Sequence, residues 1–469
     1  MTCSIPVAAL RRLAVASGLV FAAAAQAGGN DDILSELRAL KARVAELEEK
    51  LQAQDAKLAQ VAQTAQTADQ SARGMTEEQQ GEFNRIMVKT EALEDARDAL
   101  GWKGLKISGY LDPTFIANQR QHRAGFQLLN PIDEGGYRYD NSYFGAAVID
   151  FSKETEGGSR WRLSLAPNRG VGAALDGRSP VQEASVSIPL TDLQTRFIAG
   201  QMPDWSGYEY LPSTLNKLIT HNLLFDFTLP AAYTGAGLEL ARRKWLFKGL
   251  LANVNASQRA QGGAAPALAY RVDYAKGEFQ GFGFAGVHGP MKNARQAGHD
   301  SRLDLFEFDA SFIRGDWTVQ GQWSWGRQAR AAIMPGADGR LADARWWGLS
   351  ALAAYKFQPR LEGTLRYDLI NNRSHGGGLL GTAAADDRNG IGPDATLGCD
   401  PLVAAVPGCE RGVNRSALTF GLSYLFNLST TFKLEYRLDQ ATGPVFLDTR
   451  SGTYQPSNQL FGASVLVSF

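Results

Sequence analysis

From Leu105 onward, apolar and polar residues alternate with a period of two. Trp161, Leu163 and Leu165 alternate with Arg160, Arg162 and Ser164. Phe306, Phe308, Ala310 and Phe312 alternate with Glu307, Asp309 and Ser311, and Trp317, Val319, Gly321, Trp323 and Trp325 with Thr318, Gln320, Gln322 and Ser324. Leu361, Leu365, Tyr367 and Leu369 share a face opposite Glu362, Arg366 and Asp368. Phe432, Leu434, Tyr436 and Leu438 do so opposite Lys433, Glu435, Arg437 and Asp439. In the last run Phe461, Ala463, Val465, Val467 and Phe469 face one way and Gly462, Ser464 and Ser468 the other, with Leu466 the exception. This period belongs to β-strands. An apolar face backed by a charged one suits a closed wall with lipid outside and water inside, although each strand alone would also suit a soluble sandwich.

Connection lengths separate the two. Strands are expected near 104–116, 142–151, 159–166, 181–189, 193–201, 235–242, 244–254, 267–275, 278–287, 303–312, 316–327, 346–357, 360–371, 415–426, 430–439 and 458–469. The gaps alternate long (117–141, 167–180, 202–234, 255–266, 288–302, 328–345, 372–414, 440–457) and short (around 191–192, 276–277, 314–315 and 358–359). Long loops at one end and tight turns at the other are the layout of a transmembrane antiparallel β-barrel. The expected fold is therefore all-β, a barrel of about 16 strands over 103–469, with 14 or 18 as alternatives. An even count leaves both ends of the barrel on the short-turn side. Aromatic residues near strand ends (Tyr143, Phe144, Trp245, Trp346, Trp347, Tyr424, Phe426) suit interfacial girdles.

The N-terminal quarter follows another period. Ile33, Leu37, Leu40, Val44, Leu47, Leu51, Gln54, Leu58 and Val61 recur at alternating steps of four and three. This is a coiled-coil heptad pattern with one polar core position. Such a helix needs partners, and residues 28–75 are expected to form the coiled coil and a linker, with a helical hairpin as the alternative. Arg43-Val44-Ala45-Glu46-Leu47-Glu48 matches the trimer-specifying arrangement Arg-h-x-x-h-Glu, in which the arginine stem covers the core and its guanidinium meets a neighbour's glutamate. Residues 76–102 regain helical character as a short connector. Ahead of all this, Arg11 and Arg12 precede the apolar run Leu13–Ala25 and the sequence Ala25-Gln26-Ala27, which reads as a signal peptide over 1–27.

The 48 basic and 48 acidic side chains cancel, which argues against nucleic acid as a partner. No apolar run reaches the length of a membrane helix. Beyond Cys3, which falls in the signal segment, the chain has Cys399 and Cys409 in one Pro/Gly-containing loop. That pair reads as a local disulfide of an oxidising compartment. The five histidines are scattered away from it, so no metal, cofactor or catalytic set is expected. Gly281-Phe-Gly283-Phe-Ala-Gly286 has dinucleotide-binding spacing but lies inside an alternating strand, where that reading fails. Gly376-Gly-Gly378 lacks a following Lys-Ser/Thr. An outer-membrane hydrolase remains a minor alternative for which no Ser/His/acid set can be assigned.

The loop 202–234 stands out as long and apolar (Leu215, Leu218, Ile219, Leu223, Leu224, Phe225, Phe227, Leu229), which suits packing inside a barrel or, alternatively, in a subunit interface. It carries Asp204, Glu209 and Asp226. Arg160, Arg162, Arg196, Arg366, Lys433 and Arg437 are expected on the lumen face. Opposed acidic and basic rims would create a transverse field that sorts solutes. The other reading is that these bases pair with Glu362, Asp368, Glu435 and Asp439 and merely solvate the wall.

With these features the chain resembles trimeric porins of Gram-negative outer membranes, above all those with an N-terminal periplasmic coiled coil, including the phosphate-selective group. The residues that carry the resemblance are Ile198-Ala-Gly200-Gln201-Met-Pro203, Arg366-Tyr367-Asp368 and a terminal Phe469. The opening Gly109-Tyr-Leu-Asp-Pro-Thr114 resembles that of a related proteobacterial porin family. The resemblance implies an inward third loop, passive diffusion of small hydrophilic solutes and a homotrimer held by Leu37, Leu40, Arg43, Val44, Leu47, Glu48 and Leu51. It also implies membrane lipid as solvent and outer-membrane assembly machinery that reads Phe469. The slight basic excess among the predicted lumen residues leans toward small anions or polar metabolites, and a plugged, tethering barrel is the alternative.

Overall fold

The computed structural model describes residues 81–83, 85–90, 92, 104–129, 145–167, 180–256, 265–277, 280–293, 299–332, 334–336, 338–375, 392–399 and 406–469. Two units divide the chain, Met1–Lys103 and Gly104–Phe469. In the first, the described residues between 81 and 92 are helical with exposed side chains. The signal segment and the heptad positions lie outside the described residues.

The second unit is a closed antiparallel barrel. Its wall starts with β1 (Leu105–Leu111), β2 (Thr114–Asn118), β3 (Arg123–Gln127), β4 (Ala147–Glu154), β5 (Arg160–Leu165), β6 (Val181–Asp192) and β7 (Thr195–Pro203). After the inward loop come β8 (Ala232–Arg242), β9 (Trp245–Val254), β10 (Ala267–Ala275), β11 (Gln280–Lys292), β12 (Asp300–Arg314) and β13 (Trp317–Gln328). The wall continues through β14 (Ala344–Gln358), β15 (Leu361–Ser374), β16 (Arg415–Asn427) and β17 (Thr430–Ala441). A small outer hairpin, β18 (Phe446–Asp448) and β19 (Thr453–Gln455), precedes the closing β20 (Ser457–Ser468). Eighteen strands make the wall, but they fill sixteen positions because two spans are interrupted.

Each interruption has a local cause. β1 and β2 both pair with β20, from Tyr110↔Ser468 to Asn118↔Leu460, and they are separated by Asp112-Pro113. Proline has no N–H to give the ladder. β3 pairs with β2 and β4 with β1, so together they make the second span. Between them Leu129 N donates to Gly145 O at 2.8 Å. Gly145 has φ 65° and lies against Gln127, a conformation and a closeness that a Cβ would oppose. This corrects the expected strand near 142–151 and the single long loop at 117–141: the chain turns at 119–122 and re-enters the wall at Arg123. Elsewhere the strands follow the alternation, several of them running further, with β11 reaching Lys292 and β12 starting at Asp300.

The wall is inside out. On β17, Phe432, Leu434 and Tyr436 are 41%, 47% and 39% exposed on its outer face, whereas Glu435 and Arg437 are 2% and 0% exposed on its inner face. β15 repeats this with Leu365 and Tyr367 outside and Arg366 and Asp368 inside. Apolar area left open to this degree around a whole wall finds its favourable surroundings in lipid. Buried ionic groups must be paired to be tolerated, and the inward loop supplies much of that pairing.

Candidate functional site

Residues 204–231 leave β7 and cross the lumen. Their apolar side chains explain the path. Leu223, Leu224 and Phe227 are fully buried against Ile370 and Ala417. Ile219 packs with Ile116, Leu460 and Phe446, and Leu218 with Tyr208, Leu352 and Ala354. Two wall glycines make the seats: a Cβ on Gly421 would meet Leu218 at 2.2 Å and one on Gly348 would meet Leu224 at 2.9 Å. Each buried leucine or phenylalanine contributes about 1.5–3 kcal/mol. A short helix α1 (Leu223–Phe227) is capped by Asn222, whose side chain accepts from Phe225 N at 2.8 Å.

Polar contacts fix the loop's register. Arg366 is the hub. It donates to Glu209 at 2.7 Å, Asp368 at 3.0 Å, and the Thr220 and His221 carbonyls at 2.7 and 2.9 Å. Glu209 also accepts from Asn222 N at 2.6 Å. Glu435 accepts from the Ile219 and Thr220 amides at 2.6 and 3.0 Å. Lys433 donates to the Ser213 and Asn216 carbonyls at 2.8 and 2.6 Å, and Lys217 reaches Glu362 at 2.7 Å. Arg437 pairs with Asp439 at 3.1 Å.

Thus Glu209 and Arg366 meet in direct contact, and Lys433 and Arg437 lie beneath the same loop. Asp226 is buried within α1. Asp204, where the loop leaves β7, accepts from Tyr233 Oη at 2.5 Å and Ser206 N at 3.0 Å. Burial pushes its carboxyl up to about 6, against the opposing hydrogen bonds from Tyr233 and Ser206. The other predicted cations lie apart from this cluster. Arg196 is buried near the short turns, donating to Ser187 and to the Gly158 carbonyl at 2.7 Å. Arg160 pairs with Glu154 at 3.1 Å. Arg162 stays 46% exposed between Asp150 at 2.7 Å and Glu183 at 3.2 Å.

Towards the short turns the inner faces of β1, β4, β5 and β6 therefore remain open to water, whereas Tyr110, Val148 and Ser164 nearer the long loops are buried. Lys106, Ser152, Arg160, Arg162, Ser185 and Ser187 line one recess there. The opposite wall is covered. Sequence reasoning did not single out Arg271, which donates to Asp309 at 2.8 Å and to the Trp205 carbonyl at 2.8 Å. It also passed over Arg415, which pairs with Asp439 at 2.7 Å between the rings of Phe227 and Phe446. The signal for both was the inward parity of their strands. Cys399 and Cys409 are bonded, with Cα atoms 5.6 Å apart, in the loop before β16. Among the described residues no group of three or more His, Cys, Asp or Glu is arranged to hold a metal ion.

A family model described as "Protein of unknown function (DUF3138)" matches residues 7–269 and 280–469. The chain belongs to this family. No curated protein matches it. Similar solved structures include the trimer form of OmpT, an outer membrane protein of Vibrio cholerae (10% identity, 78% of this chain and 99% of that one, TM-score 0.49). They also include an anion-selective porin from Comamonas acidovorans (10% identity, 78% and 99% covered, TM-score 0.49). A third is Salmonella typhi OmpF in complex with daunomycin (12% identity, 78% and 97% covered, TM-score 0.48). The fold assignment for this DUF3138 member rests on its own strand ladder.

Proposed function

We propose that this chain is an outer-membrane channel for passive diffusion of small hydrophilic solutes. The observation that carries the reading is the inverted wall: aromatic and aliphatic side chains outside, with paired charges, serines and glutamines inside. Solutes pass along the open faces of β1, β4, β5 and β6, and Arg162, flanked by Asp150 and Glu183, is the charged group they meet. Arg160 on that path is paired with Glu154, and Lys106 adds a further cation, which leans the path toward small anions. In the same reading residues 1–27 export the chain, 28–75 form a periplasmic trimeric coiled coil through Leu37, Leu40, Val44, Leu47 and Leu51 with the Arg43–Glu48 pair, and the long loops face outward.

A specific observation also favours a second reading, a plugged barrel with a tethering role. The inward loop is held across most of the lumen, and much of it is buried between Leu218 and Leu229. Current through the purified mature protein in a planar bilayer under a salt gradient separates the two. Stepwise conductance with an anion-leaning reversal potential is expected. Arg162→Glu should move that potential toward cations. Absence of steps from folded oligomers would replace the channel with the plug.

A further inference from the structure

On the outer face of β12–β14, at the long-loop end, the lipid-facing pattern changes abruptly from aromatic to charged. Phe306, Trp325 and Trp347 stand side by side in one row across the three strands. One step nearer the loops the row reads Asp304, Arg327 and Arg345. Arg302 follows on β12 with its side chain 73% exposed, paired to Asp304 at 3.0 Å, and His288 on β11 meets Asp304 at 3.1 Å. Arg327, 45% exposed, pairs with Asp343 at 2.5 Å. Arg345 is exposed directly opposite Arg327. Like charges directly opposite on one sheet face are destabilising, and two carboxylates do not neutralise three guanidinium groups. An aromatic row marks the edge of a hydrocarbon layer, so the charged row lies at the depth of lipid head groups. Arginine forks match phosphate oxygens in pairs.

We infer that Arg302, Arg327 and Arg345 form a binding site for a phosphorylated lipid head group of the outer leaflet, with Trp325 and Trp347 packing against the acyl chains below. The site rests on the membrane reading given above, because that reading sets which surface meets lipid. It gives the barrel a fixed orientation and a retained annular lipid on one side.

The test uses the full mature protein in neutral detergent, titrated with diphosphorylated lipid A and followed by native mass spectrometry. Wild type retains lipid A. The variant R302Q/R327Q/R345Q binds it weaker on the order of tenfold or more, since each basic group at a lipid surface is worth about fivefold. R314Q/R360Q, which changes exposed arginines at the short-turn end, retains it as wild type does. The all-lysine variant R302K/R327K/R345K keeps the charge and binds within severalfold of wild type, so the site stays testable if the glutamine set fails to fold. Equal retention by a folded glutamine set overturns the site. Displacement of lipid A by millimolar inorganic phosphate would make it a free-phosphate site, and loss of oligomer in the glutamine set would make it a contact between copies; either result overturns the lipid assignment. Conductance in neutral lipid is unchanged by the glutamine set, so failure of the channel reading would be seen separately, in wild type.

Discussion

Arg366 is fully buried, yet it satisfies two carboxylates and two carbonyls. Removing one partner of such a cluster leaves unpaired charge in a low-dielectric site and costs about 3–5 kcal/mol. Arg366→Met should therefore release the inward loop. Limited proteolysis within 209–222 accelerates and the open-channel current becomes noisier; unchanged cleavage would mean that the apolar seats alone hold the loop. Asp204 gives a pH handle. Its folded-state value of about 6 lies above that of the unfolded chain, so between about pH 4 and 6 the folded protein holds a proton that the unfolded chain has lost. This contribution to stability is lost as pH rises through 6. Loop cleavage in wild type should increase between pH 5 and 7, whereas Asp204→Asn shows no such step. The inward placement of Arg366, Lys433 and Arg437 was legible from strand parity. So were their wall partners, since Arg366 meets Asp368 and Arg437 meets Asp439; the loop partners were not, because Thr220 and His221 engage through backbone carbonyls, which no side-chain pattern reveals.

At the level of elements, the inward loop is read from its composition and the sockets that receive it are read only from the structure. Eight apolar residues in a supposed surface loop announce burial, but glycine in a strand signals close approach without naming what approaches. Gly421→Val fills the seat of Leu218 and should cost about 1–3 kcal/mol of loop anchoring, measured as faster hydrogen exchange at Leu218 and its neighbours. A second strap joins the outer hairpin to the first turn. Asp448 bonds His122 at 2.9 Å and Arg120 at 3.3 Å, and Thr449 Oγ1 donates to the Gln121 carbonyl at 2.9 Å. The hydrogen bond with His122, and then those from Ser451, Arg450 and Arg120, hold the Asp448 carboxyl well below the usual carboxylate range. The strap is intact above that range and is lost as pH falls beneath it. At neutral pH Asp448→Asn should expose the bond after Arg450 to trypsin while the barrel stays heat-resistant. The broken second span escaped sequence reading because 117–141 alternates too weakly to show that the chain re-enters the wall at Arg123.

For the molecule as a whole, sixteen positions were legible because lipid on one side and charge on the other impose a single period on every span. We propose that the heptads at 28–75 assemble the chain into trimers. Leu40→Asp with Leu47→Asp should convert trimers to monomers on native gels without changing the barrel's heat-modified mobility; unaltered mobility of the oligomer would assign trimerisation to the wall. Closure joins the two ends of the barrel. Gly109 and Phe469 exchange backbone hydrogen bonds at 3.0 and 3.1 Å, and Ser464 donates to Asp112, 352 positions away. Drawing together ends so distant carries an entropic cost of about 5 kcal/mol and rewards nothing until it is complete. Until then two strand edges stay open and adhesive, so folding of this chain is a race between ring closure and pairing with a neighbour, which a high concentration of unfolded chains would lose.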